Sequence, residues 1–117
     1  MSGASRVALL CSDLMMTSSV SGASSAAGRP FIALSGTQQL GDCHDDDLIL
    51  IDLAMPGLDI QLAAKQLNEQ QKDNAVVYGP HVHKGRFEAA QAAGFTTVIP
   101  RGQFAATISE LVSSDSV

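Results

Sequence analysis

The sequence contains few aromatic and few basic residues, and both shortages exclude some classes of core composition and of binding partner. Of its 117 residues only 4% are aromatic and none is Trp, so we expect a core of Ala, Val, Ile and Leu. Lys and Arg number 7 against 12 Asp and Glu, which gives a formal net charge of −5. Nucleic-acid modules and proteins that bind anionic membranes normally carry basic patches. The composition therefore predicts neither nucleic acid nor membrane as a partner.

Cysteines and long apolar runs are also scarce. The two cysteines, Cys11 and Cys43, are too few for a disulfide scaffold, and Cys11 is interpreted as a small apolar core residue. No stretch approaches the roughly 20 apolar residues that span a bilayer. The first apolar run, Val7–Cys11, is broken at once by Ser12 and Asp13 and is too short for a signal peptide. We therefore expect a cytoplasmic protein.

What the sequence does contain is an alternation of short apolar runs and helical segments. Five runs have the length of strands and lack an alternation of apolar and polar residues. Each run therefore predicts a strand that is buried on both faces. The segments between them place apolar residues at helical spacing, although Thr37–Asp47 is polar and predicts only a short helix. The five runs are Val7–Cys11, Phe31–Leu34, Leu48–Leu53, Ala75–Tyr78 and Thr96–Ile99.

This alternation predicts an α/β fold, in which a doubly wound parallel sheet of five strands carries helices on both faces. The length suits one domain over residues 1–117, with a frayed tail at 113–117. The segment 44–47, His-Asp-Asp-Asp, is interpreted as a solvated acidic loop, because four consecutive residues do not converge on one ion. His81 and His83 are interpreted as water-facing loop residues, because no third zinc ligand lies at the right spacing.

Polar residues follow the predicted strands at their carboxyl ends, where open parallel sheets bind ligands. Ser12 and Asp13 follow the first strand, Asp52 lies at the end of the third, and Arg101 follows the fifth. Carboxylates can hold Mg²⁺ together with water, and a carboxylate can attack a phosphoryl group. An arginine beside them can neutralise phosphoryl charge. The sequence therefore predicts that these groups converge on one site.

The segment Leu48–Asp59, in which Met55 and Pro56 follow Asp52 at a fixed spacing, resembles the receiver domain of bacterial two-component response regulators. The resemblance covers the whole chain in the order and spacing of strands and is loose elsewhere. It implies a flavodoxin-like sheet with strand order 2-1-3-4-5 and five helices. It also implies phosphorelay signal transduction, with a histidine kinase or another signalling protein as partner.

The resemblance assigns roles one residue at a time. Asp52 matches the phosphoryl acceptor, and Asp13 matches the second member of the acidic pair that holds Mg²⁺. The backbone carbonyl of Ala54 matches the one that completes the metal site. Arg101 falls where the family has a lysine that contacts the phosphoryl group, and Gly79 falls where a Thr or Ser hydroxyl contacts it.

Departures from the family pattern predict an impaired site. Ser12 replaces the other acid of the pair, so we expect weak Mg²⁺ binding. Gly79 lacks the hydroxyl, Val98 stands where many members have a switch aromatic, and Gly102 replaces the proline that follows the basic residue. Arg101 itself differs from lysine in shape and reach.

Two signalling hypotheses and one enzymatic hypothesis follow. In the first, Asp52 still accepts a phosphoryl group. In the second, the chain is a pseudo-receiver that binds a partner or forms a homodimer without phosphorylation, through the alanine-rich region from His83 to Val112. A small α/β enzyme is the third. It is the least favoured, because the sequence has no glycine-rich phosphate loop and no cofactor fingerprint, and we do not expect an enzyme.

Overall fold

A computed structural model describes residues 5–113 of the chain. Five strands form one parallel sheet, and their order across it is second, first, third, fourth, fifth. The predicted α/β fold class and the strand order are confirmed. The strands are β1 Val7–Leu10, β2 Phe31–Leu34, β3 Leu48–Asp52, β4 Val76–Gly79 and β5 Thr97–Pro100.

The helices fill the connections between strands, and one of these connections departs from the expected pattern. The polar segment after β2 forms a short helix as predicted, a 3₁₀ helix at Thr37–Asp42, whereas the connection after β3 holds two short helices where one was predicted. They are separate because Asn68 begins the second with a capping box, exchanging hydrogen bonds with Gln71. The α-helices are α1 Leu14–Ala26, α2 Ile60–Gln66, α3 Glu69–Asn74, α4 Lys84–Ala92 and α5 Arg101–Ser113.

Of the predicted frayed tail, Ser113 ends α5 and residues 114–117 lie outside the described part of the chain. Between residues 5 and 113, every helix falls short of the length and apolar character that crossing a bilayer requires.

The core has two layers, one on each face of the sheet. On one face α1 and α5 cover the central strands, and the ring of Tyr78 stacks on that of Phe104 with centroids 3.9 Å apart. On the other face the 3₁₀ helix, α2 and α4 pack over alternate residues of the same strands, such as Ile49, Ile51 and Val77. Aliphatic residues dominate both layers, as the scarcity of aromatic residues predicted.

Burial of the strands on both faces is confirmed for the centre of the sheet and wrong for its edges. Every residue of β1 and β4 is buried, and only the first residue of β3 is partly exposed. In contrast, β5 is half-buried throughout and β2 has one buried residue, Leu34. The reason is topological, because the strand order leaves β2 and β5 with a neighbour on one side only.

The acidic segment at 44–47 departs from its interpretation as a solvated loop. Its last residue, Asp47, has a fully buried side chain and accepts two hydrogen bonds from Arg6, from Nε at 3.1 Å and from Nη2 at 2.7 Å. The backbone N–H of His44 donates to the same carboxylate at 2.7 Å. Asp47 therefore joins the amino ends of β1 and β3, while Asp45 and Asp46 are exposed as expected.

The two loop histidines also differ from each other in exposure. His81 is exposed, as predicted, whereas His83 is half-buried at the start of α4. Its Nδ1 is buried and has no hydrogen-bond partner among the described residues. The expectation of a water-facing side chain is therefore wrong for His83, which caps α4 with one ring nitrogen buried.

Candidate functional site

Asp52 is the last residue of the central strand, and its side chain is almost enclosed. It is 6% exposed and pairs in register with Tyr78 on β4. Its Oδ1 accepts a hydrogen bond from the backbone N–H of Ala54 at 2.8 Å. The four ion pairs found among residues 5–113 do not include Asp52. The carboxylate therefore sits in the protein without a cationic side chain paired to it, an arrangement that is costly unless a bound group compensates it.

The side chain that contacts the other oxygen of Asp52 belongs to Cys11, which the sequence interpretation placed in the core and which is half-buried. Because Leu10 pairs with Ile51, the next residues, Cys11 and Asp52, come side by side. The thiol Sγ lies 3.4 Å from Asp52 Oδ2 and donates to it, while the backbone N–H of Asp13 donates to Sγ at 3.3 Å. Burial chiefly, and the charge of Asp52 in addition, raise the pKa of the Cys11 thiol.

Tyr78 completes this enclosed corner from β4, the next strand across the sheet. Its hydroxyl is buried and has no hydrogen-bond partner among the described residues. Burial raises its pKa first, and the neighbouring Cys11 and Asp52 raise it further. A buried hydroxyl without a partner is uncommon, because losing water costs free energy that a hydrogen bond normally recovers. Cys11, Asp52 and Tyr78 therefore form a cluster of polar groups, in which the Tyr78 hydroxyl has the Cys11 thiol as a neighbour and makes no hydrogen bond of ordinary geometry.

Asp13 and Arg101, both predicted site residues, are brought together by the fold. Asp13 is the N-cap of α1, and its Oδ1 accepts hydrogen bonds from the N–H groups of Met15 at 2.9 Å and Met16 at 3.2 Å. Its Oδ2 accepts a hydrogen bond from Arg101 Nη2 across the carboxyl ends of β1 and β5. The two side chains are 35% and 47% exposed, so this ion pair faces solvent. In this arrangement the guanidinium pairs with Asp13 and not with Asp52.

Gly79 lies at the end of β4 in a space too small for any side chain. A Cβ placed there would stand 2.9 Å from Cβ of Leu53 and 3.5 Å from the ring of Phe87. Leu53 follows Asp52 directly and is itself buried. The absence of a hydroxyl at Gly79 is therefore linked to the side chain that follows Asp52, since the two positions compete for one volume.

Arg86, in the first turn of α4, is a site residue that the sequence did not reveal. Its Nη1 donates to the carbonyl of Leu53 at 3.0 Å and so holds the segment that follows Asp52. Arg86 and Ala89 also line a pocket of about 220 Å³ beside residues 53–58. The contact joins residues far apart in sequence, and no local motif marks it.

The donor set at this site matches Mg²⁺ poorly. Mg²⁺ takes oxygen ligands in octahedral geometry, usually one or two carboxylates with water. Here one oxygen of Asp52 accepts from Ala54, the other contacts a thiol, and Asp13 is occupied by α1 and Arg101. The carbonyl of Ala54 stays a predicted ligand. Within residues 5–113, the one group of three metal-ligating side chains with donor atoms within 4.8 Å of one another lies elsewhere, at His44, Asp46 and Asp47.

Comparison with known proteins gives likeness in structure and none in sequence. No family model matches the chain, and no curated protein matches it. A response regulator from Burkholderia multivorans superposes with a TM-score of 0.69 at 24% identity, over 96% of this chain and 95% of its own. A chemotaxis response regulator of Vibrio cholerae superposes with a TM-score of 0.71 at 15% identity, over 92% and 94%.

A third similar structure is the receiver domain of a sensor histidine kinase from Pseudomonas aeruginosa, which has a magnesium ion coordinated in its active site cleft. It superposes with a TM-score of 0.66 at 16% identity, over 95% of this chain and 100% of its own. At such identities the likeness establishes the fold. The chain has the fold of a response-regulator receiver domain, over nearly its whole length.

Proposed function

We propose that this chain is a receiver-type module of two-component or phosphorelay signalling, in which Asp52 accepts a phosphoryl group at an impaired site. The observation that carries the proposal is the buried carboxylate of Asp52 at the carboxyl end of the central strand, with no basic side chain of the described chain paired to it. A lone buried carboxylate destabilises a fold, and a role as nucleophile accounts for its presence. A histidine kinase or another phosphorylated signalling protein is the donor.

The two oxygens of Asp52 have different parts in this reaction. The N–H of Ala54 holds Oδ1, while Oδ2 accepts only from the thiol of Cys11, a weak donor, so Oδ2 is the oxygen that attacks phosphorus. A bond forms between Oδ2 and phosphorus, and the bond from phosphorus to the donor's nitrogen breaks. Arg101 reaches the phosphoryl oxygens after it releases Asp13, and because that ion pair is exposed its loss costs only about 0–1 kcal/mol. Gly79 offers its backbone alone, and we expect Mg²⁺ to bind weakly.

The test is treatment of the full chain with acetyl phosphate, followed by mass spectrometry of the intact protein and of its peptides. We expect a slow adduct on Asp52 that is absent from Asp52→Asn. The matched control is Asp59→Asn, which changes an exposed aspartate in the same segment and leaves Asp52 in place. An adduct that survives in Asp52→Asn, or no adduct under conditions that label ordinary receivers, contradicts the proposal.

A second candidate function is a pseudo-receiver that recognises its partner without phosphorylation. Three observations favour it: Asp52 is nearly inaccessible, Arg101 is paired with Asp13, and Leu53 occupies the space beside Gly79. The partner surface is the region of α4, β5 and α5, and a homodimer is one form of the assembly. Asp52→Asn then leaves association unchanged in sedimentation experiments.

A charged substitution on α4 distinguishes the two candidates further. Ala89 lines the pocket beside residues 53–58, so a change there would also disturb the site. Ala92 is exposed on the same helix and is the cleaner position. The pseudo-receiver expectation is that Ala92→Glu weakens association and Asp52→Asn does not. Association that disappears in Asp52→Asn favours the phosphorelay function.

A further inference from the structure

We propose that the guanidinium of Arg101, and not a divalent cation, supplies the positive charge for phosphoryl transfer to Asp52, and that Asp13 restrains this guanidinium by binding it. The inference rests on the proposed function and specifies which charged group the reaction uses. It gives Asp13 a role opposite to that of the metal ligand which the resemblance implies. Three features support it: the position of the ion pair, the hydrogen bonds already made by Asp13, and the fit of a guanidinium to a phosphoryl group.

The ion pair between Asp13 and Arg101 lies on the face of the sheet to which Asp52 points. Side chains alternate between the two faces along a strand, so Asp52 shares the face of Leu50, which α1 and α5 cover. Asp13 is the N-cap of α1, and Arg101 is the first residue of α5. The strands that lead into these helices, β1 and β5, are separated in the sheet by β3 and β4. The contact therefore crosses the carboxyl ends of β3 and β4 on the same face as Asp52.

The positive charge of Arg101 also acts on the immediate neighbour of Asp52. Tyr78 pairs in register with Asp52. Burial raises the pKa of Tyr78, and the charge of Arg101 opposes that rise. Because the ion pair with Asp13 is exposed, the long side chain of Arg101 can turn from Asp13 to a phosphoryl group on Asp52 at little cost in free energy.

The carboxylate of Asp13 is already used by protein donors. Its Oδ1 accepts from the N–H groups of Met15 and Met16, and its Oδ2 accepts from Arg101. A divalent cation shared by Asp13 and Asp52 has to displace one of these donors. It also lies close to the guanidinium, and like charges repel each other. The arrangement therefore favours Arg101 over a metal ion as the cation beside Asp52.

The chemistry of the step suits a guanidinium. Arginine donates two parallel hydrogen bonds to phosphoryl oxygens and stays charged at neutral pH. With acetyl phosphate as donor, the electron pair of Asp52 Oδ2 forms the bond to phosphorus, and the bond from phosphorus to the acetate oxygen breaks. Acetate leaves as an anion with that electron pair, so no proton is transferred. Arg101 stabilises the charge on the phosphoryl oxygens during this step.

Asp13 opposes the reaction in two ways. It neutralises the guanidinium that the phosphoryl group needs, and it adds a negative charge where an anionic donor has to approach. Loss of this charge should therefore speed the reaction, whereas loss of a metal ligand would slow it. The sign of the effect at Asp13 separates the two roles.

The first experiment measures labelling of the full chain by acetyl phosphate in EDTA and in Mg²⁺, by mass spectrometry of the intact protein. We expect equal rates in the two conditions. Asp13→Asn keeps a capping oxygen for α1 and should raise the rate by about two- to fivefold, which is the factor that corresponds to a weak exposed ion pair. Arg101→Gln should lower the rate by about tenfold or more, because it removes the cation that stabilises the transferred group.

Two further variants control for charge alone. Arg101→Lys keeps the charge without the paired hydrogen bonds, so it should slow labelling less than Arg101→Gln does. Lys84→Gln is the matched control, because Lys84 is an exposed cation at the first residue of α4, on the opposite face of the sheet. It should leave the rate unchanged.

The second experiment measures Mn²⁺ binding by electron paramagnetic resonance of the free ion and needs no phosphoryl transfer. Mn²⁺ takes the same oxygen ligands as Mg²⁺. We expect weak binding that Asp13→Asn leaves unchanged, because Arg101 already occupies Asp13. Arg101→Gln frees that carboxylate and should tighten Mn²⁺ binding by about two- to fivefold.

The outcomes distinguish this inference from the proposed function. Labelling of Asp52 that stops in EDTA, or that Asp13→Asn slows, would overturn the inference and leave the proposed function standing. Mn²⁺ binding that is lost in Asp13→Asn would do the same. Absence of an adduct in every form counts against the proposed function, and the Mn²⁺ measurement then decides alone whether Arg101 keeps Asp13 from a metal ion.

Discussion

Each end of the sheet carries one pair of arginine and aspartate, and the two pairs differ in how completely they are enclosed. At the amino ends of the strands, Arg6 binds both oxygens of Asp47, whose side chain is 0% exposed. At the carboxyl ends, Arg101 reaches one oxygen of Asp13, and both side chains are more than a third exposed, at 47% and 35%.

The difference separates a structural pair from one that can exchange partners. A buried carboxylate that loses its partner is left uncompensated, so the pair at Asp47 is strongly coupled to folding. An exposed pair loses little free energy when it separates, because water and salt replace the lost contact. The same two residue types therefore fix one end of the sheet and leave the other able to bind a charged group.

The largest expected effect is at Asp47. We expect Asp47→Ala to lower the free energy of unfolding by about 3 kcal/mol, near the low end for breaking a buried pair because Arg6 is 28% exposed. Urea denaturation measures it. The control is Asp46→Ala, an exposed neighbour that should change stability by about 0.5 kcal/mol or less. If the two substitutions lowered the free energy of unfolding equally, the pair at Asp47 would not be a structural pair that differs from the exposed pair at the other end of the sheet.

A substitution at Gly79 tests whether the carboxyl ends of the strands have space for an added side chain. Gly79→Ala places its new carbon against Cβ of Leu53, which no side-chain rotation can move away, so we expect a loss of about 1–3 kcal/mol. The control is Gly102→Ala, where no heavy atom lies within 4 Å of the new carbon. An alanine at Gly79 that is as stable as the original would show that this corner is looser than its geometry indicates.

Substitutions at Asp13 separate its two contacts. Asp13→Ala loses both the cap of α1 and the ion pair, with a cost of about 1 kcal/mol from the cap. Asp13→Asn keeps a capping oxygen and loses only the charge, so it should resemble Arg101→Gln, within about 0–1 kcal/mol of the original. If Asp13→Asn is as damaging as Asp13→Ala, the exposed pair contributes more than its exposure suggests. Thermal unfolding at low and high salt makes this measurement.

The smallest effect at neutral pH is that of the Cys43 thiol, because its contribution to stability changes only in alkaline solution. Burial, and then the nearby charge of Asp47, raise the pKa of Cys43 from 9.0 to about 11. The unfolded thiol ionises first, so its contribution to stability is complete below pH 9 and is lost as the pH rises to about 11. We expect Cys43→Ser to reduce the slope of stability against pH in that range. An unchanged slope would mean that other groups, such as Cys11 and Tyr78, account for the whole decline.

Much of the fold was predictable because it rests on local pattern. Each apolar run became a strand within a residue or two of its predicted bounds, and alternation with helical segments dictated a parallel sheet. The candidate site was predictable in part. The resemblance of the segment around Asp52 selected the carboxyl end of the central strand, and the structure places Asp52 there. The roles assigned to Asp13, Ala54, Gly79 and Arg101 stay predictions.

The sequence by itself determined the class of fold and the aliphatic core, since periodicity and composition express these locally, and the resemblance of the segment around Asp52 assigned that residue to the end of the central strand. Only the tertiary structure decided which side chains meet. It buried Asp47 against Arg6, turned Arg101 toward Asp13, and set Cys11 beside Asp52. The physical reason is that burial and pairing depend on neighbours supplied by other strands and helices, and those neighbours are distant in the sequence.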